Sequence, residues 1–167
     1  MVSRIERGQR ARLTIGEAAV LCAALGLRLH LKAYPEGLPV RDSAQLRLLA
    51  RFRRQVSDTF GWRTEVPVGQ QGDLRAWDVV LDASVSIGVD AETRLHDMQA
   101  LQRRLELKFR DSTVGRVVLV VSGTHHNRDV LRAHRSALMS TLPLDTAAVM
   151  RSLRAGDAPA HNGIVLL

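Results

Sequence analysis

The stretch at 77–95, WDVVLDASVSIGVDAETRL, decides how the rest of the chain is read. It has the pattern of a strand, a short connection over 82–86 and a second strand. In the first strand Trp77, Val79 and Leu81 alternate with Ala76, Asp78 and Val80. In the second, Ile87, Val89, Ala91 and Thr93 alternate with Gly88, Asp90, Glu92 and Arg94. Side chains along a strand alternate between faces. Asp90, Glu92 and Arg94 are therefore expected on one face and the apolar set on the other. Asp78 falls mid-strand among apolar residues, where a carboxylate without a partner or a metal costs on the order of several kcal/mol. Adjacent strands carrying Asp78 and Glu92, with a cation two residues past the glutamate, give the chemical outline of a metal-dependent phosphodiesterase. In such a site carboxylates hold Mg²⁺ and the cation steadies the attacked phosphate or the water nucleophile.

The flanking segments extend this pair of strands. Upstream, Asp42 with Gln45 three residues on has the pattern of a helix N-cap, and the helix is expected over 42–58. Leu46, Leu49, Phe52 and Val56 form its inward stripe, while Arg47, Arg51 and Arg54 recur at i, i+4 and i+7 on another face. That row is either a phosphate-tracking stripe or a solvated face. Residues 63–68, RTEVPV, read as a first strand, with Pro67 at an edge or an end. Glu65 within it is a third acid for the site or a surface residue. The turn at 69–75 is shaped by Asp73.

Downstream, Met98, Leu101, Leu105 and Phe109 keep helical spacing over 94–110, and Asp97 suits the helix start. The run RVVLVVS at 116–122 reads as a buried strand. A helix between two strands makes a crossover, so this strand and the previous one are expected to be parallel. His125 and His126 lack a regularly spaced third ligand, which disfavours zinc. Asn127 is read as the cap of a helix over 127–139. A last helix is expected over 145–155, with Gly156 as its stop. The apolar tail NGIVLL at 162–167 is expected to add an edge strand or dock on the core.

Asp78, a spacer and then Glu92-Thr93-Arg94, set in the order helix, three strands, helix, strand, resembles the PD-(D/E)XK (restriction-endonuclease-like) superfamily over roughly 43–142. The resemblance implies an α/β fold with an αβββαβ core. It implies Asp78 and Glu92 as ligands of Mg²⁺, the Thr93 carbonyl as a further ligand, and Arg94 in the role of the family's lysine. Asp90, Glu65 and Gln99 would support the site. Trp77 stands where the family has proline. Arg94 stays protonated and is no proton-transferring base. The resemblance thus implies a nuclease-like domain with or without activity; an active one would be a metal-dependent phosphodiesterase.

At the other end, Ser3, Ile5, Glu6 and Gly8 resemble the recognition helix and following turn of lambda-repressor-like (Xre/Cro, actinobacterial-type) helix-turn-helix regulators. Thr14-Ile15-Gly16-Glu17 is a capping box opening a helix to about Leu25, with Gly26 as its stop and Ala18, Leu21, Cys22 and Leu25 as its stripe. The resemblance implies DNA contacts at Ser3 and Arg4 and a homodimer; a complete module would need two more helices before Ser3. The expected division is a partial helix-turn-helix-like segment plus a strand over 1–34, a Pro/Gly linker over 35–41, and the α/β domain over 42–167.

Composition agrees with a nucleic-acid partner. The chain of 167 residues carries a net charge of +7, and 22 of its 24 basic residues are arginine, the side chain best suited to phosphate. An apolar content of 46% supports a core. The single Cys22 excludes an intrachain disulfide and fits a reducing compartment. No apolar run reaches membrane-spanning length, so no membrane partner and a cytoplasmic location are expected. Three functions follow: a DNA-associated transcriptional-regulator-like protein with a nuclease-like domain, a Mg²⁺-dependent DNA endonuclease, or a domain that senses an anion or a protein.

Overall fold

A computed structural model describes residues 14–27, 29, 43–69 and 73–167. Ser3, Arg4, Asp42, the linker at 35–41 and most of the strand expected at 27–33 lie outside these residues. The chain divides into two compact units, Met1–Val40 and Arg41–Leu167. In the first, helix α1 (Ile15–Ala24) begins at the predicted capping box. The Thr14 hydroxyl accepts from the Glu17 N–H, and the Glu17 carboxylate accepts from the Thr14 N–H. None of its residues is buried, and Ile15, Val20 and Leu25 are exposed.

The second unit has the order α2 (Ser43–Arg53), β1 (Gly61–Pro67), β2 (Ala76–Asp82), β3 (Ile87–Glu92), α3 (Met98–Asp111), β4 (Arg116–Val121), α4 (His125–Ala133), α5 (Arg135–Thr141), α6 (Thr146–Ala155) and β5 (Gly163–Leu166). The five strands form one open sheet in sequence order. β1, β2 and β3 run antiparallel, and β4 and β5 continue parallel to β3, as the α3 crossover requires. The expected helix, three strands, helix, strand order is present, followed by three helices and the edge strand.

Each face of the sheet buries its own apolar cluster. On one side Leu48, Leu49 and Phe52 of α2 and Val149, Met150 and Leu153 of α6 meet Val79, Leu81, Val89, Ala91, Val118, Val120 and Val165. On the other, Met98, Leu101 and Leu105 of α3 and Leu138 of α5 meet Trp77, Val80, Val117, Leu119 and Val121. Leu46 is 48% exposed, with Leu48 facing inward in its place, and Phe109 is 37% exposed. Trp77 does not share a face with Val79 and Leu81, as strict alternation requires; it joins the α3-side cluster. The phase changes at Asp78. There the β1–β2 register omits the Glu65/Asp78 pair, and Glu65 has φ 53°, an uncommon conformation for a residue with a Cβ. Gly88 accommodates the displaced indole: a Cβ at that position would lie 2.7 Å from the ring.

The outer edge of β5 is closed by neighbouring chain. Ile164 N–H donates to the Leu144 carbonyl and Leu144 N–H to the Asn162 carbonyl. The Thr146 hydroxyl accepts from Leu166 N–H and donates to the Ile164 carbonyl.

Candidate functional site

The β2–β3 ladder stops at Val79↔Val89, although β2 extends to Ala76 and β3 to Glu92. Beyond that rung the strands part, β2 staying with β1 and β3 with β4. The backbone groups freed in this fork need partners, and side chains supply them. The Asp78 carboxylate accepts from Ala91 N–H at 2.7 Å, standing in for a ladder carbonyl. From α2, Gln45 Nε2 donates to Asp78 Oδ2 at 2.9 Å and to the Ala91 carbonyl at 3.0 Å. From α3, Lys108 Nζ donates to both Asp90 oxygens at 2.9 and 2.8 Å and to the Ala76 carbonyl at 2.7 Å. One polar side chain from each flanking helix thus bolts the fork.

The predicted site residues are only partly brought together. Asp90 and Glu92 share the α3 side, as alternation implies, but the cation beside Glu92 is Arg104 of α3, which donates to its carboxylate. Arg104 also stands 3.9 Å from Asp90. Arg94 lies past the end of β3, exposed and without an ion pair among the described residues. Asp78 is engaged from the α2 side. The Thr93 carbonyl accepts from Asn127 Nδ2 at 3.0 Å. Glu65 lies on β1 at the position facing Asp78 in the neighbouring strand, and Gln99 is exposed on α3.

Asn127 is not a helix cap. Thr124 caps α4, and Asn127 is fully buried, accepting from Leu95 N–H and donating to the Thr93 and Ser122 carbonyls. It ties the β3–α3 connection to the end of β4. His126 adds a contact to the Leu95 carbonyl at 2.8 Å. The helix expected over 127–139 breaks at His134 into α4 and α5.

The Mg²⁺ implied by the family resemblance can be tested against these donors. Asp78 is held by Gln45 and an amide, Asp90 by Lys108, Glu92 by Arg104, and the Thr93 carbonyl by Asn127. Among the described residues no group of three or more His, Cys, Asp or Glu side chains is arranged to hold a metal ion. Hard cations require several oxygens converging with free lone pairs, so the set as arranged does not fit Mg²⁺.

Gln45, Arg104 and Lys108 were missed from sequence. Lys108 carried a signal: it is one of two lysines in an arginine-dominated chain and falls on the apolar stripe Met98, Leu101, Leu105. Gln45 carried none that points to the fork; its spacing from Asp42 suggests a capping box, and Asp42 lies outside the described residues.

The chain matches no protein-family model, no curated protein and no solved structure at a significant level. Fold and site therefore stand on their own geometry. No described helix is long and apolar enough to cross a membrane.

Elsewhere some arginines close on carboxylates, while others, among them Arg94, Arg103, Arg128 and Arg135, are exposed without an ion pair among the described residues. Arg63 pairs with Asp82, Arg75 with Asp73 and Asp111, Arg110 with Asp111, and Arg132 with Asp129. The Arg110 and Arg75 guanidiniums hold the Asp111 carboxyl down to about 2. By contrast, Arg47, Arg51 and Arg54 are exposed, and none forms an ion pair with a carboxylate among the described residues. The contact made by Arg47 is to the Ser43 hydroxyl.

Proposed function

We propose that the Arg41–Leu167 unit is a nuclease-like module that binds DNA rather than cutting it, within a transcriptional-regulator-like protein. The division among its cations carries this reading. At the fork, Lys108 neutralises Asp90 and Arg104 neutralises Glu92, one of the two carboxylates that a metal site would need, while Asp78 is held by Gln45 and the Ala91 N–H. On α2 and just past its end, Arg47, Arg51 and Arg54 are exposed with no carboxylate in an ion pair among the described residues. A cation row without internal anions is matched to an external one, and arginine is suited to phosphate.

The test is fluorescence anisotropy of a labelled duplex with the full chain across a salt series. Replacing Arg47, Arg51 and Arg54 by alanine should weaken binding and flatten the salt slope by up to about 2.7, at roughly 0.9 for each phosphate left unneutralised. A wild-type chain that leaves duplex DNA unbound at low salt would overturn the reading.

A metal-dependent nuclease is the competing reading. One observation favours it: Asp78, Asp90 and the Ala91 carbonyl converge on a single fork between strands. It requires Arg104 to release Glu92. Calorimetry with Mg²⁺ and with Mn²⁺ decides between them. The binding module should give no site heat in the wild type or in Glu92→Ala. A site present in the wild type and absent from the variant would replace the binding reading with the nuclease one.

A further inference from the structure

We infer that Arg151 and Arg154 of α6 extend the α2 arginine row into one two-helix surface for the backbone of double-stranded DNA; the inference rests on the DNA-binding reading above and names its interface. The helices lie on the same face of the sheet, since Leu48, Leu49 and Phe52 of α2 and Val149, Met150 and Leu153 of α6 belong to one apolar cluster. They are tied where α6 meets the segment after α2. Ser57 N–H donates to the Leu153 carbonyl at 3.0 Å, and Arg154 Nη2 donates to Gln55 Oε1 at 3.0 Å. With Val149, Met150 and Leu153 turned inward, helical geometry turns Arg151 and Arg154 outward, and both are exposed. Among the described residues neither forms an ion pair with a carboxylate. Arg151 and Arg154 also line an open groove with Gln55, Met150, Leu166 and Leu167.

The two helices share a compositional feature. Their sequences, SAQLRLLARFR and TAAVMRSLRA, contain no acidic residue. Over the other face α3 carries Glu106 and Asp111 and α4 carries Asp129, while the short α5 has no acid. Among the described residues, the acids that flank these helices in the chain, Asp58, Asp145 and Asp157, lie beyond the helix ends.

Geometry selects the partner. Arg47 to Arg54 spans about 10 Å along the helical path at 1.5 Å per residue, too long for one small anion and about the axial length of three phosphate steps at roughly 3.4 Å each along one strand. Single strands are gripped by stacking bases on exposed aromatic rings. Here Phe52 is fully buried, and the Arg53 guanidinium covers the Trp62 ring at 5.1 Å. Among the described residues this surface offers charge without stacking platforms, which suits a duplex backbone.

The experiment compares duplex and single-stranded DNA of one sequence over about 50 to 300 mM salt. It uses the full chain as wild type, the α2 variant (Arg47→Ala/Arg51→Ala/Arg54→Ala), the α6 variant (Arg151→Ala/Arg154→Ala), Arg151→Lys/Arg154→Lys, and Arg103→Ala/Arg128→Ala, which removes the same charge as the α6 variant from helices on the other face. Thermal melts confirm that each variant is folded. Removing two phosphate-neutralising cations should lower the salt slope by about 1.8 and weaken duplex binding by up to about 60-fold near 0.1 M salt. The lysine variant should recover most of the affinity, and the control pair should behave as wild type. If the wild type binds and the α2 variant is weakened, but the α6 variant matches the control, the two-helix surface is wrong while the DNA-binding reading stands. A wild type that binds no DNA removes both. Preference for the single strand overturns the duplex assignment.

Discussion

Asp90 and Lys108 are 2% and 7% exposed, so each compensates a charge the other would otherwise bury alone. Removing one partner of a buried pair typically costs about 3–5 kcal/mol, whereas replacing both with well-packed apolar residues is often neutral. Asp90→Leu and Lys108→Met should each lower stability by that order, and the double variant should recover most of the loss in a urea-denaturation cycle. Purely additive losses would mean that Lys108 acts mainly through the Ala76 carbonyl and the Trp77 ring, whose centroid is 5.3 Å from Nζ. At this scale the sequence was legible where chemistry is local. Asp97 and Asp145 cap α3 and α6, Asp73 shapes its turn, and Gly156 ends α6 with φ 85°. It was less legible where a side chain acts across the fold. Nothing in the spacing of Gln45 tells that its amide reaches two residues on different strands.

Elements were read well when periodicity alone defines them. RVVLVVS became the buried β4, and NGIVLL became the edge strand. The alternation in WDVVLD was misleading, because a period-2 rule assumes an unbroken ladder and the ladder is disturbed at Asp78. The fork in turn depends on helices that strand patterning does not see. A second element-level feature is the cluster joining the β2 entry to the end of α3, in which Arg75 bridges Asp73 and Asp111. Both carboxyls titrate below their ordinary 3.8, Asp73 chiefly through Arg75 and Asp111 chiefly through Arg110 and then Arg75. A depressed carboxyl favours the folded state above its unfolded pKa, and that contribution fades as pH falls through the folded value. The urea midpoint of Arg75→Ala should therefore fall below wild type at neutral pH, and the gap should narrow from about pH 4 toward about pH 2. A gap that widens on acidification would contradict this account. Added salt should also shrink the gap, because the groups are partly exposed.

For the Arg41–Leu167 unit as a whole, the α/β class and the order of its first six elements were legible from patterning. The roles of the two sheet faces were not. One face carries two helices free of acidic residues; on the other, Arg104 and Lys108 close on the fork and Arg110 and Arg132 pair with neighbouring acids, while Arg103, Arg128 and Arg135 stay exposed. That asymmetry emerges when α2 and α6, about a hundred residues apart in the chain, are brought over the same strands. A linear scan finds only the α2 row.

The sealed rim of β5 bears on how the protein behaves when concentrated. An open sheet edge is a template for another chain to add a strand. At β5, Leu144 and Thr146 already hold the outward hydrogen-bonding groups of Asn162, Ile164 and Leu166. At the opposite rim, β1 is interrupted at Glu65 and ends at Pro67, which has no amide hydrogen to offer. Both flanks of the sheet are poor seeds for cross-strand aggregation, so an arginine-rich surface can be crowded along a polyanion without the sheets themselves polymerising.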